Sequence, residues 1–325
     1  MEEGGVTMEN LLTIVIVNYK TAAMVCDVVR SAKEHAKADG VGVEISVVDN
    51  GSGDGSVETI RKAHPDIEVI DAGGNLGFAA GNNIALRIAK TPYIMLLNSD
   101  AFLQDGTLRK LMEFMKSCPH AGMIGPRILN PDGTDQDYPC RFPTIPEMIR
   151  RALKGPQFPG QGATGPVLME RIHGCCLVLR RAVIEQIGLL DEQFFMYDED
   201  MDWCLRCRKA GWELYLLPDA TAVHLGGQTS GRAPSGVREK KAAPSINPRM
   251  VYELRKSRYI LYRKHRGMLE VVALKIFTDL MLVAGLLVSL RGLAHGADGR
   301  AGILKRLKAS WSIITINPFS LRVRT

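Results

Sequence analysis

Cysteine is scarce in this 325-residue chain: seven residues, at no spacing that suggests a disulfide framework. An odd, scattered set excludes a stapled secreted scaffold and fits reduced thiols in the cytoplasm. Cys204 and Cys207 form a lone CxxC in a helical pattern, and with no second pair at zinc-site spacing they read as inert thiols. The opening MEEGGVTMEN is acidic and lacks the apolar run of a secretory leader. A long apolar run is missing too. Lys275 and Asp279 interrupt Glu270–Leu290, and its uncharged part, Leu280–Leu290, is shorter than the roughly 20 residues that span a bilayer. No GxGxxG follows the first strand signal, where NYKTAA stands, which argues against a dinucleotide fold.

With 46% hydrophobic residues the chain can bury a full core, so one large domain with an appendage is expected. The net charge of +6 is unevenly spread: residues 246–325 hold 15 Lys/Arg against 4 Asp/Glu, and the remainder is net negative. A basic tail suits an anionic membrane surface. Nucleic acid is not expected, because the basic region carries no recognisable reading motif.

Strand signals at Thr13–Tyr19, Val43–Asn50, Ile67–Ala72, Tyr93–Asp100 and Gly122–Leu129 alternate with helical periods over Ala22–Ala36, Ala79–Ala89 and Thr107–Lys116. This predicts an α/β fold with a central, mostly parallel sheet. Such sheets bind ligands beyond the carboxyl ends of their strands, and here those ends read Asn18-Tyr19, Asp49-Asn50 and Asn98-Ser99-Asp100. Each alone is ordinary turn or cap chemistry; three on one edge point to a site. VVDNGSGDGS and GGNLGFAAGNN add small residues that let backbone N–H groups approach a nucleotide.

Taken in order, TIVIVNYK, VVDNGSGDGS, GNLGFAAGNN, LLNSDAFL, HGCCLVLRR and FFMYDEDMDWCLRCRKAGW resemble family 2 glycosyltransferases of the GT-A fold, and among them the rhamnosyltransferase-like group that builds bacterial surface polysaccharides. The likeness runs from about Thr13 to about Gly227. It implies donor contacts at Asn18, Tyr19, Asp49, Asn50, Ser52, Asn75, Gly77, Gly81, Asn82, Asn98 and Ser99. It also implies a divalent cation, Mg2+ or Mn2+, on Asp100 at the DxD position, with His224 of AVHLGGQ completing the metal site. Asn98 stands where that motif usually has its first Asp. The ED motif implies Asp200 as the base that deprotonates the acceptor, Glu199 beside it, and Asp202, Trp203, His173 and Gly174 on the acceptor side. Read from the residues alone, acids at a helix N-terminus also complement the macrodipole, and Trp203 serves equally as a core aromatic.

The expected organisation is a catalytic domain over residues 1–245, with a nucleotide-sugar half at about 11–130 and an acceptor half at about 131–245 that carries a helix at Ile145–Leu153. Residues 246–325 are expected to form a basic, helical, membrane-associated or oligomerising tail, with Arg263, Lys264, Arg266, Arg291, Lys305, Arg306 and Lys308 facing anionic lipid. Gly226–Pro248 reads as a mobile loop, either a plain solvated linker or a segment that closes over the diphosphate and pairs Arg232 or Arg238 with its oxygens. The resemblance implies an inverting transferase at the inner membrane face. Its first-choice donor is dTDP-rhamnose, with UDP-galactofuranose, GDP-mannose and UDP-N-acetylhexosamine as alternatives, and its acceptor is a polyprenyl-linked saccharide or polysaccharide. Two other classes stay open: a glycan- or nucleotide-binding scaffold with little turnover, and a nucleotidyltransferase that releases pyrophosphate.

Overall fold

A computed structural model describes residues 10–155, 158, 160–226, 248–294, 310–311 and 313–321. The first half runs β1 (Asn10–Asn18), α1 (Ala22–Ala38), β2 (Gly42–Asp49), α2 (Ser56–Ala63), β3 (Glu68–Asp71), α3 (Phe78–Ile88), β4 (Tyr93–Leu97), β5 (Ala101–Leu103), α4 (Thr107–Ser117) and β6 (Ala121–Leu129). The second adds α5 (Ile145–Lys154), β7 (Val167–Leu168), β8 (Cys176–Arg180), α6 (Arg181–Ile187), α7 (Glu199–Lys209) and β9 (Glu213–His224), then the tail helices α8 (Pro248–His265) and α9 (Met268–Ala294).

The described strands form one sheet in the order β3-β2-β1-β4-β8-β6-β9-β5, with β7 beside β9. The block β3-β2-β1-β4 is parallel, β8 is antiparallel to both neighbours, and β9 is parallel to β6 but antiparallel to β5. Strands covered on both faces must be apolar on both, and β1 shows it. Its Ile14 and Ile16 enter one hydrophobic cluster while Val15 enters the other. Register then places the polar ends. Asn18 pairs with Asp49 across β1 and β2, and Ala101 pairs with His224 across β5 and β9, which brings Asp100 beside His224 from far along the chain.

A third cluster unites the tail with the catalytic half: Phe194 and Met201 pack with Tyr259, Tyr262, Val271 and Leu274. The division expected near residue 246 is therefore not a division in packing. One side of α9 supplies Val271 and Leu274 to this core, while Leu269, Val272, Ile276, Leu280, Val283 and Leu287 form an exposed apolar stripe at helical spacing. Lys275 and Asp279, which interrupt the apolar run in sequence, pair with each other at 2.6 Å. No described helix is long and apolar enough to cross a membrane.

Candidate active site

The parallel strand ends assemble a polar floor. Asn18 donates from Nδ2 to Asp49 Oδ1 at 2.6 Å and to Ser52 Oγ at 3.2 Å, while Asp49 accepts the Ser52 backbone N–H at 2.9 Å. Asn50 reaches the next turn, donating to the Gly77 carbonyl at 3.1 Å and accepting the Leu76 N–H at 3.0 Å. Asn75 accepts the Gly77 N–H in turn. Gly51, at φ +72°, passes so close to Gly74 that a Cβ there would lie 2.3 Å from a backbone carbon. These turns are thus stitched to one another. Two expected donor contacts belong to the scaffold instead: Gly81 abuts Val17, and Asn82, 1% exposed, bonds back to the Phe78 carbonyl within its own helix. Tyr19 is half-buried beside Lys20, and Ser99 is buried next to Asp100.

Beyond β4 stand Asp100 and His224, the residues that the resemblance assigns to a cation. His224 Nε2 sits 3.2 Å from Asp100 Oδ1 and 3.4 Å from Asn98 Nδ2, and its Nδ1 meets Gln136 Oε1 at 2.6 Å. Two donor atoms at adjacent positions of an octahedral ion with bonds of about 2.1 Å stand about 3 Å apart, so this pair fits a shared divalent cation. Among the described residues there is no group of three or more His, Cys, Asp or Glu that could hold a metal. Donor phosphate oxygens and water would complete such a shell, as is usual for Mg2+. Asn98, a neutral amide, adds no charge to it.

The turn leading into β8 joins this pair to the acidic cluster. Asn98 N–H donates to the Cys175 carbonyl at 2.8 Å, the His173 ring stacks edge-on against His224 at 5.7 Å, and Gly174 N–H donates to Asp200 Oδ2 at 3.0 Å. A Cβ on Gly174 would lie 3.1 Å from Asp200 Oδ2, so the close approach depends on glycine. Burial, then the neighbouring His224 and Arg171, hold the His173 imidazole well below its ordinary range. Its Nδ1 accepts the Cys175 N–H at 3.0 Å.

Asp200 is clamped. Arg171 spans both carboxylate oxygens at 2.7 and 2.8 Å, and the Met201 N–H adds a bond of 2.8 Å to Oδ1. Burial works against the Arg171 charge, but Asp200 and Asp198 outweigh it and raise its affinity for its proton. Glu199 is the opposite case. Its Oε2 is buried with no hydrogen-bond partner, and burial, reinforced by the Asp200 charge, pushes its carboxyl well above the usual range. The two adjacent acids therefore differ sharply: Asp200 has both oxygens met by donors, while Glu199 has one buried oxygen with none.

Two acceptor-side expectations are corrected by burial. Trp203 is 0% exposed and donates its indole N–H to the Gly188 carbonyl, so it is a core residue and not a sugar platform. Asp202 is 0% exposed and holds Arg206 at 2.9 Å, Lys264 at 2.8 Å and His265 at 2.8 Å, so it ties α8 to α7. Arg258 pairs with Asp198 at 2.6 Å and Ser257 Oγ donates to the Met196 carbonyl, so α8 also grips the loop just before the acids. Lys264 is thereby unavailable to lipid, and Arg263 is spent on the Pro318 and Phe319 carbonyls. Arg232 and Arg238 lie outside the described residues, as do Lys305, Arg306 and Lys308. Cys204 and Cys207 are buried free thiols pushed up to about 12, chiefly by burial.

Sequence reasoning missed Arg171 and Gln136, and it gave Lys264 to lipid when its partners are Asp191 and Asp202. None sits in a spacing pattern with the group it serves; each meets its partner only through tertiary packing.

Comparison with known proteins agrees with this geometry. Residues 13–187 match the model of glycosyl transferase family 2. The N-acetylglucosaminyl-diphospho-decaprenol L-rhamnosyltransferase of Mycobacterium tuberculosis is 29% identical over 214 residues, 59% of this chain and 70% of that one. The low-salt glycan biosynthesis hexosyltransferase Agl10 of Haloferax volcanii is 32% identical over 227 residues, 67% of this chain and 68% of that one. Among solved structures, the mannosyltransferase PcManGT of Pyrobaculum calidifontis, solved with GDP-Man and Mn2+, superposes with a TM-score of 0.52 at 15% identity, covering 95% of this chain and 86% of that one. That likeness speaks to the fold, which is GT-A. With over half its length matched by the family model, the chain belongs to glycosyl transferase family 2 and is a rhamnosyltransferase-like, nucleotide-sugar-dependent glycosyltransferase.

Proposed function

We propose that this enzyme transfers a sugar with inversion from a nucleoside diphosphate to a hydroxyl of a lipid-linked saccharide, with dTDP-rhamnose as the first donor to test. One observation carries the reading. The turn from Arg171 to Cys175 touches both the Asp100–His224 pair and the Asp200 carboxylate, so a place for a diphosphate and a place for a proton share one short segment. The mycobacterial relative is named for transfer to an N-acetylglucosaminyl-diphospho-decaprenol, which supports rhamnose and a lipid-linked acceptor.

Asp49, Asn18 and Ser52 hold the nucleoside end of the donor. Asp100 and His224 hold Mg2+ or Mn2+, which when bound supplies positive charge to the leaving diphosphate. The acceptor oxygen attacks the anomeric carbon from the face opposite that diphosphate; the carbon–oxygen bond to phosphate breaks, and the hydroxyl proton passes to a carboxylate. Asp200 is that carboxylate by resemblance, with Arg171 fixing its orientation. A second reading gives the proton to Glu199, favoured by the unpartnered Oε2.

We further propose that the α9 stripe lies on an anionic membrane surface, the exposed apolar side chains entering the headgroup boundary next to Arg266. Vesicle flotation with and without anionic lipid tests this.

The deciding experiment for the reaction offers dTDP-rhamnose, UDP-galactofuranose, GDP-mannose and UDP-N-acetylglucosamine with a lipid-linked N-acetylglucosamine acceptor, with Mn2+ or with chelator. Release of nucleoside diphosphate with an inverted product anomer supports the reading. Release of pyrophosphate would make it a nucleotidyltransferase, and no release with any donor would leave a scaffold. Asp200→Asn and Glu199→Gln then separate the two bases: the true base loses turnover, by about 100-fold or more, with donor affinity kept.

A further inference from the structure

A neutral imidazole has two tautomers, and only one presents a lone pair where a cation can take it. In this molecule the choice can be traced back to the backbone. The Asp135 carbonyl can only accept, and Asn130 Nδ2 donates to it at 3.2 Å and to Thr134 Oγ1 at 3.0 Å. Asn130 Oδ1 therefore faces the other way, toward Gln136 Nε2 at 3.1 Å. The same Nε2 donates to the His224 carbonyl at 3.0 Å, a second group that only accepts. Both contacts fix the amide, so Gln136 Oε1 is the atom 2.6 Å from His224 Nδ1, and that nitrogen must carry the hydrogen. Nε2 is left with its lone pair directed at Asp100 Oδ1 and receiving Asn98 Nδ2. The supporting residues are themselves secured: Gln136 is 8% exposed, its backbone N–H bonds to the Ile128 carbonyl, and Arg127 pairs with Asp135.

From this we propose that Gln136 is the positioning residue of the cation site, holding His224 in the Nδ1–H tautomer with Nε2 turned toward Asp100. The proposal rests on the reading of Asp100 and His224 as cation ligands. Without an acceptor at Nδ1 the ring is free to place its hydrogen on Nε2, where it would donate to Asp100 and close the pair to a cation. Partners of this kind commonly govern metal affinity 10- to 100-fold, roughly.

The test uses the full chain and Mn2+ as the probe, with dTDP and separately UDP present, free Mn2+ being read by electron paramagnetic resonance. Gln136→Met is expected to weaken Mn2+ binding by about 10-fold or more, with the circular dichroism spectrum retained. Nitrogen-15 spectra of the histidines, recorded where the rings are neutral, are expected to show His224 protonated at Nδ1 in the wild type and redistributed in the variant. His224→Ala separates the two layers. If it leaves Mn2+ affinity unchanged, the cation reading fails, and the tautomer spectra alone then judge Gln136. If it weakens binding while Gln136→Met stays within about twofold of wild type, the cation reading stands and this proposal is overturned. A wild-type His224 protonated at Nε2 overturns it whatever the variants do.

Discussion

Asp202→Asn should cost stability and not acceptor recognition. The carboxylate is fully buried, and burial alone would raise its pKa; the hydrogen bond to His265 and the charges of Arg206 and Lys264 overcome this and lower it from 3.8 to about 2. A depression of that size corresponds to about 2 kcal/mol. Removing one member of a buried pair outright usually costs more, about 3–5 kcal/mol. Here the strandings are partial: Lys264 keeps Asp191, and Arg206 keeps the Ile187 and Leu189 carbonyls. A loss of about 2–3 kcal/mol is therefore expected, read as a lowered urea midpoint at unchanged slope. The sign with pH follows from a depressed carboxyl. The stabilisation that this carboxyl contributes is fully present above pH 3.8 and is lost as pH falls through about 2, so the gap between wild type and variant should narrow in acid. Lys264→Met in the Asp202→Asn background should cost less than in the wild type, because the two residues share one interaction. A stability change below about 0.5 kcal/mol, joined to a raised KM for acceptor, would refute the reasoning and return Asp202 to the acceptor site.

Three further outcomes are expected. Gly174→Ala pushes a methyl against Asp200 Oδ2, so kcat should fall about 10-fold or more while donor affinity, read by isothermal titration, is kept. Gly51→Ala combines a backbone clash with Gly74 and a positive φ, and thermal melts should show a loss of about 2–4 kcal/mol. Trp203→Phe empties part of the core and strands the Gly188 carbonyl; it should destabilise by about 1–3 kcal/mol with acceptor KM unchanged.

The sheet was readable because its strands obey local rules. β1, β2, β4 and β6 fall within a few residues of their apolar runs, and α4 begins at Thr107 as its period predicts. The strand-end carboxylates and amides were readable for the same reason: a polar residue ending a buried strand is conspicuous in one dimension. What resisted was anything requiring distant segments to meet. Asp202 and Trp203 sit two and three residues beyond Asp200, and only the helical turn, with α8 packed against it, decides that they face inward. The tail misled in the same way. Lys264 and Arg263 look like solvent-facing base charges until Asp202, Asp191 and the Pro318 carbonyl are seen around them.

The grip of α8 on the acidic loop bears on how such enzymes can be recombined. Ser257 and Arg258 hold the loop on the upstream side of Glu199, and Lys264 and His265 hold Asp202 on the downstream side. A chimera that joins this catalytic half to another enzyme's tail at residue 246 would discard all four partners at once. The swappable module is therefore smaller than the chain's composition suggests, and a workable graft must carry the charges of α8 together with the acids they serve.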